Sequence, residues 1–339
     1  MATLLAADIG GTKTDLALFD GDGTAPSPQA KRRYLNAGFS GFEALLAQYL
    51  EEVGGRPVAA CIALAGVVTG TRVPLTNLPW IIDSHSIGER FGLDPVLLVN
   101  DLTALSMALP SLAGDDLVQL QRGTAQPGEP SAVIAPGTGL GEGMLLEGPG
   151  GVFARGSEGG HCDFAPVDEE QSELLLFARR EVSPVSYESL VAGPGLSRLY
   201  RFSCERHGAV GDPAVAQAMA EASDPIPLLV EAALRPHPCP LCLAAVRLFL
   251  AILGSEAGNL ALKLYARGGV YLGGGLLPAL YGRISFAPLL ERFRAKGPMG
   301  ELLASIPVYL ITRGDAALLG AGRCGQRHLA AGAGGHGPR

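Results

Sequence analysis

The chain has no surplus of positive charge: 33 Asp and Glu outnumber 26 Lys and Arg, a formal net charge of −7. That excludes by composition the broad basic face with which proteins hold a nucleic-acid backbone, and no nucleic acid is expected as partner. Cysteine is scarce. Cys61, Cys162, Cys204, Cys239, Cys242 and Cys324 are scattered rather than set out as a disulfide framework, which fits a reducing compartment. Uninterrupted apolar runs are missing as well. The longest apolar stretch, 241–264, is broken by Arg247, Glu256 and Lys263, so it reads as a helix buried in a core, and no membrane contact is expected. Met1-Ala2-Thr3 leads into a strand without a secretory leader, and the expected location is cytoplasmic.

Two nucleotide signatures are also absent. Lys13-Thr14 is preceded by Thr12, where a Walker A loop requires glycine, and no dinucleotide fingerprint opens a helix. What stands in their place is one glycine turn used twice. Leu4 to Ile9 leads into Gly10-Gly11-Thr12, and Ala132 to Pro136 leads into Gly137-Thr138-Gly139; a second apolar strand follows each. Glycine lets backbone N–H groups approach an anion, and threonine adds a hydroxyl donor. Either turn alone would read as an ordinary hairpin. Together they suggest two related half-structures holding one polyphosphate.

Strands and helices alternate through the first third. Ser40-Gly41-Phe42-Glu43 has the pattern of a capping box, and Phe42, Leu45, Leu46, Tyr49, Leu50 and Val53 recur at helical spacing up to Gly54-Gly55. Residues 58–63 and 96–99 read as buried strands, and a helix is expected from about Thr103 to Pro110. This alternation predicts an α/β fold with a largely parallel sheet, whose ligands sit at the carboxyl ends of strands. Asp8 and Asp101 both fall at such ends. The expected domains are 1–110 with a returning segment 312–330, and 111–311; residues 331–339 are expected to be a disordered tail.

Asp101, just before the helix, reads by spacing alone as a helix cap. Glu158-Gly-Gly-His161 has two glycines where a helical metal site would need helix formers, so polar contacts to hydroxyls suit it better. Cys239-Pro-Leu-Cys242 invites zinc, but a structural site needs four ligands and only Cys204 and His207 offer themselves nearby.

Taken in order, Asp8-x-Gly-Gly-Thr12, Asn100-Asp101, Gly137-Thr-Gly-Leu-Gly141, Glu158-Gly-Gly-His161 and Gly273-Gly-Gly275 resemble the motifs of bacterial glucokinases, in the actin-like ATPase and hexokinase superfamily. Further matches are Thr76-Asn77-x-x-Trp80, Asp163-Phe-Ala-Pro166, Ser189-Leu-x-x-Gly193-Pro-Gly-Leu196 and Gly258-Asn-Leu-Ala-Leu262, and the similarity runs to about Gly322. The chain lacks the clustered cysteines of ROK sugar kinases and the added DNA-binding helices of their repressor relatives. The resemblance implies two actin-like (ribonuclease H-like) domains flanking a deep cleft that holds glucose. It implies ATP-dependent phosphorylation of the glucose 6-hydroxyl, with Asp101 as general base. Sugar contacts fall to Asn100, Asp101, Glu158, His161, Glu188 and Gly137. The nucleotide falls to Asp8, Gly10, Gly11, Thr12, Lys13, Thr138, Gly139, Gly273, Gly274 and Gly275, with Mg²⁺ reached by Asp8 through water. A homodimer is the family's common assembly. Three alternatives stay open at this point: a kinase of another hexose such as fructose or mannose, a sugar-sensing protein without turnover, and a structural actin-like ATPase.

Overall fold

A computed structural model describes residues 3–21, 28–76, 78–148, 151–208, 212–222 and 224–334. Asn77 of the Thr76-Asn77 motif lies outside them. The chain divides into two compact units: residues 1–117, 143–156 and 313–339, and residues 118–142 and 157–312. The sequence reading groups 143–156 with the larger domain; in the structure they join the first unit.

The first unit is built on β1 (Thr3–Ile9), β2 (Lys13–Asp20), β3 (Gln29–Leu35), β4 (Ala59–Leu64) and β7 (Val96–Asn100), in the order β3-β2-β1-β4-β7. A small separate pair, β5 (Arg72–Pro74) and β6 (Ile81–Asp83), runs antiparallel. Strand β1 is antiparallel to β2 and parallel to β4, and β4 is parallel to β7. Strand β4 is apolar along its whole length and β1 from Leu4 to Ala7, because both faces are covered. On one side lies α1 (Phe42–Val53), which buries Phe42, Leu45, Leu46 and Tyr49 at helical spacing. Its N-cap is Gly41 and no side chain caps it, so the expected box at Ser40 does not form. Gly54, at φ 62°, ends the helix in the left-handed conformation. Helix α2 (Ser84–Phe91) is capped by Asp83, which accepts from the N–H groups of His85 and Ser86. Helix α3 (Asp101–Ala108) continues directly from β7.

The second sheet has the order β11-β10-β9-β12-β13-β8. Its strands are β8 (Leu117–Gln121), β9 (Ser131–Pro136), β10 (Leu140–Gly148), β11 (Gly151–Ser157), β12 (Gly269–Leu272) and β13 (Val308–Ile311). Strand β12 is parallel to both β9 and β13. Its first five strands repeat the order of the first sheet: two strands joined by a glycine turn, a third beyond them, and two parallel strands on the other side. The doubled turn of the sequence is a doubled half-sheet.

Helices α4 (Glu169–Ala178), α5 (Glu188–Val191), α6 (Gly193–Arg206), α7 (Pro213–Glu221) and α8 (Ile226–Leu234) precede the long α9 (Pro240–Leu264). After β12 come α10 (Leu276–Leu280), α11 (Ala287–Arg294) and α12 (Gly300–Ser305). By length and composition α9 could cross a membrane, despite its charged residues, yet most of its apolar window is buried inside this unit. Phe249, Leu250, Ile252 and Leu253 are fully buried there, each contributing roughly 1.5–3 kcal/mol. The last helix, α13 (Ala316–Gly334), packs on α3, β1 and β4 in the first unit. A Cβ at Gly320 would lie 1.7 Å from the Ala104 carbonyl oxygen, so only glycine permits this close approach. The helix runs through Gly334, which corrects the expected disorder at 331–334: alanine favours helix, and the glycines there do not stop it. Residues 335–339 lie outside the described set.

Candidate active site

Asp8 is the penultimate residue of β1 and sits in register with Asp15 on β2 and Ala63 on β4. Burial pushes its carboxyl up to about 7, with Asp101 and Asp15 raising it further against the pull of Lys13 and Arg33. Asp15 itself is ion-paired. Arg33, its cross-strand neighbour on β3, donates Nε and Nη2 to the two carboxylate oxygens, each at 2.7 Å. Asp8 and Asp101 are therefore brought together as expected, in a field of like charge that a cation would relieve.

The turn Gly10 to Lys13 closes on itself, with the Gly10 N–H donating to the Lys13 carbonyl at 3.0 Å. Asn36 braces it. Its Nδ2 donates to the Gly10 carbonyl at 2.8 Å, its Oδ1 accepts from the Thr14 hydroxyl at 2.7 Å, and its N–H reaches the Thr12 carbonyl at 2.9 Å. Sequence reasoning missed Asn36. It lies beyond the polar strand β3 and looks like a loop residue, yet it is only 2% exposed. Gly11 is half-buried, while Thr12 and Lys13 are exposed.

The end of β7 answers the question of the helix cap. Asn100, not Asp101, is the N-cap of α3, its Oδ1 accepting from the N–H groups of Leu102 at 2.9 Å and Thr103 at 3.1 Å. Asn100 Nδ2 donates to the Gly66 carbonyl at 3.1 Å and to Asp101 Oδ1 at 3.0 Å. Both amide hydrogens and both carbonyl lone pairs of Asn100 are thus engaged within the chain. Asp101 Oδ1 also accepts its neighbour's N–H, from Leu102 at 2.9 Å. Gly156 presses on this cap: a Cβ there would stand 2.0 Å from Asn100 Oδ1, and its N–H donates to Thr103 Oγ1 at 2.8 Å.

In the second unit, the turn Gly137-Thr138-Gly139 leaves Gly137 and Thr138 exposed. The Gly137 N–H donates to the Gly139 carbonyl at 2.7 Å, and the Gly193 N–H donates to the Gly137 carbonyl at 2.8 Å. Glu188, first residue of α5, accepts the Leu140 N–H on Oε2 at 2.8 Å. A Cβ at Gly139 would meet the same oxygen at 2.6 Å. Glu188 Oε1 lies 3.7 Å from His161 Nε2, and Glu158 Oε2 lies 4.0 Å from it. The three polar residues expected to face a sugar therefore converge on one another and on the glycine turn. An isolated bridge between Asp163 and Ser186 ties their two segments, with Phe164 edge-on to Tyr187 at 5.6 Å.

Gly273 to Gly275 follow β12. Gly274 has φ +84°, and a Cβ there would stand 2.1 Å from the Pro136 carbonyl oxygen, so the chain's own packing already demands glycine; Gly275 faces open space. Cys239 and Cys242 hydrogen-bond to each other, and Cys204 lies within electrostatic reach of Cys242. Among the described residues, no group of three or more His, Cys, Asp or Glu side chains could hold a metal ion. For magnesium one carboxylate with metal-bound waters suffices, and Asp8, whose like-charged surroundings favour a cation, fits that role.

Repeated half-sheets with acids at the strand ends and glycine turns beside them are the architecture of actin-like sugar kinases. The glucokinase family profile matches residues 5–328, and the chain belongs to that family. A glucokinase of Chromobacterium violaceum is 40% identical over 328 residues, covering 96% of this chain and 90% of its own. One of Nostoc punctiforme is 35% identical over 341 residues, covering 96% and 100%. The crystal structure of a glucokinase from an Antarctic psychrotroph matches with a TM-score of 0.81 at 30% identity, covering 96% of this chain and 99% of that one. A ROK family glucokinase from Streptomyces griseus, solved with glucose and AMPPNP, shares the fold with a TM-score of 0.64 at 20% identity, covering 96% and 100%. The resemblance read from the motifs is borne out, and with it the fold class.

Proposed function

We propose that this protein transfers the γ-phosphoryl group of ATP to the 6-hydroxyl of glucose, with Asp101 as general base. The observation that carries the reading is the division of labour at the end of β7: Asn100 caps α3 and holds Asp101 Oδ1. Asn100 Oδ1 takes the N–H groups of both Leu102 and Thr103, while Asp101 Oδ1 shares the Leu102 N–H and is fixed by the Asn100 amide. A hydroxyl placed against Asp101 donates its proton to the carboxylate as its oxygen bonds to phosphorus and the bond to the β-phosphate oxygen breaks. Aspartate is a weak base for an alcohol, so alignment carries much of the effect, and Asn100 acts through that alignment.

Glu158, His161 and Glu188 take further sugar hydroxyls, the carboxylates accepting and the imidazole donating or accepting; Gly137 lies beside them. Backbone N–H groups of Gly11 to Lys13 and of Thr138 and Gly139, with the Thr138 hydroxyl, serve the phosphates, and Gly10 closes the first turn. Gly273 to Gly275 lie toward the adenosine. Asp8 would hold Mg²⁺ through its water ligands, and the bound ion would supply charge neutralisation during phosphoryl transfer. A cytoplasmic homodimer completes the reading. Relatives named glucokinase support the substrate, and a neighbour solved with AMPPNP supports the nucleotide.

A coupled assay crossing glucose, fructose and mannose with ATP, ADP and polyphosphate tests it. Glucose with ATP is expected to give the highest kcat/KM. A preference for another sugar or donor overturns that part of the assignment, and glucose binding without product overturns the kinase.

A further inference from the structure

Two carboxyl groups of the second unit have no part in this chemistry and are more deeply buried than any residue that does. Glu142 on β10 is 1% exposed, and Glu256 in α9 is 0% exposed. Each leaves its Oε1 without a hydrogen-bond donor. A buried anionic oxygen without a hydrogen-bond donor is costly. Glu256 is close enough to Glu142 to push its carboxyl up, and a single proton between the two would remove the repulsion that two buried anions suffer.

The groups around them are few. From α9, Lys263 Nζ stands 3.5 Å from Glu256 Oε1. Asn259 Nδ2 donates to Glu256 Oε2 at 2.8 Å and to the Tyr187 hydroxyl at 3.0 Å. From the segment after α11, Lys296 Nζ donates to Asn259 Oδ1 at 2.6 Å. Burial, reinforced by Glu256, pushes the Glu142 carboxyl up to about 8, with Lys263 opposing. The cluster touches the site at two places. A Cβ at Gly159 would stand 1.9 Å from Glu142 Oε2, so this carboxyl forms the floor beneath the loop carrying Glu158 and His161. At the other end, Tyr187 directly precedes Glu188.

We propose that Glu142 and Glu256 share one proton and together act as positioning residues for the loop 158–161, so that loss of the proton weakens glucose binding. The proposal rests on the reading of that loop as the sugar site. With the proton gone, two buried anions repel beneath Gly159, and Glu142 can leave its neighbour only by displacing the loop.

The test is the pH profile of the full-length enzyme from about pH 6.5 to about pH 9.5, with KM for glucose, KM for ATP and kcat measured separately. Wild-type KM for glucose should rise about tenfold per pH unit above the break near 8, while KM for ATP, which answers to Asp8 near 7, stays level above that break. Glu142→Gln keeps a donor that cannot titrate and should flatten the rise; Glu142→Leu should raise KM at every pH. If the Gln variant fails to fold, Glu256→Gln carries the same expectation. A wild-type glucose KM that stays flat, or an unaltered rise in the Gln variants, overturns the proposal. Calorimetry with glucose separates the two readings. Binding that is independent of pH overturns the shared proton alone, and no binding at any pH overturns the sugar site together with it.

Discussion

The two half-sheets share a strand order and a glycine turn, yet they have been furnished differently. In the first, strand ends carry acids: Asp8 on β1 and Asp101 just beyond β7, whose Oδ1 is held by the Asn100 amide. In the second, the corresponding turn carries no acid. Its carboxylate arrives from outside the sheet, as Glu188 at the start of α5, which seizes the Leu140 N–H and stands beside His161. The turns are also braced differently, the first by the amide of Asn36 and the second by Glu188 itself. The duplicated scaffold supplies two glycine turns; in the proposed function the side chains added to each assign metal and proton to one half and further sugar contacts to the other.

The difference can be broken from either side. Among the residues that brace the site, the largest effect is expected at Asn100→Ala, which removes the main cap of α3 and the amide that holds Asp101. Misplacement of a reacting group by about 1 Å costs on the order of 100-fold in rate, so kcat should fall by about that factor, with stability lower by about 1 kcal/mol. Steady-state kinetics and urea melts check both. Next comes Glu188→Gln, which keeps the shape but removes the charge facing His161 and the Leu140 N–H. A charge-assisted hydrogen bond is worth about 1.5–3 kcal/mol, so KM for glucose should rise roughly tenfold or more while KM for ATP moves little. Asn36→Ala should do the opposite: KM for ATP up a few-fold, glucose unaffected, and about 1–3 kcal/mol of stability lost, because the Gly10 carbonyl is left without its donor. The smallest effect is a control. Asp83→Ala uncaps α2, away from either turn, and should cost about 1 kcal/mol in melting experiments with kcat unchanged.

The buried carboxyl pair adds a pH dependence of known sign. Glu142 titrates near 8 in the fold against an ordinary value of 4.5. Between these values the folded state holds a proton that the unfolded chain has lost, so this group makes stability fall as pH rises through that window. Urea midpoints across the window should show that slope in the wild type and a shallower one in Glu142→Gln.

The scaffold was largely legible in the sequence, because an apolar strand broken by Gly-Gly-Thr or Gly-Thr-Gly has few other ways to fold. Asp8 and Asp101 could be placed at strand ends from periodicity alone. Glu158, His161 and Glu188 could not: they meet through a bridge between residues 163 and 186 that has no local signal, and only the resemblance joined them. Asn36, Glu142 and Glu256 escaped notice for one physical reason. A polar residue in a sequence reads as solvent-facing, and burial of an amide or a carboxyl is decided by partners distant in the chain. Ser40 misled in the opposite way, offering a capping pattern that Gly41 supplants.

The central claim is that Asp101 does chemistry rather than hold a helix. The most direct test is Asp101→Asn, with glucose affinity measured by calorimetry and turnover by a coupled assay on the same preparation. General-base removal is expected to lower kcat by about 10²- to 10⁴-fold, with glucose affinity and the melting temperature close to those of the wild type because Asn100 still caps α3. A variant that turns over at near wild-type rate, or one that loses stability along with activity, would contradict it.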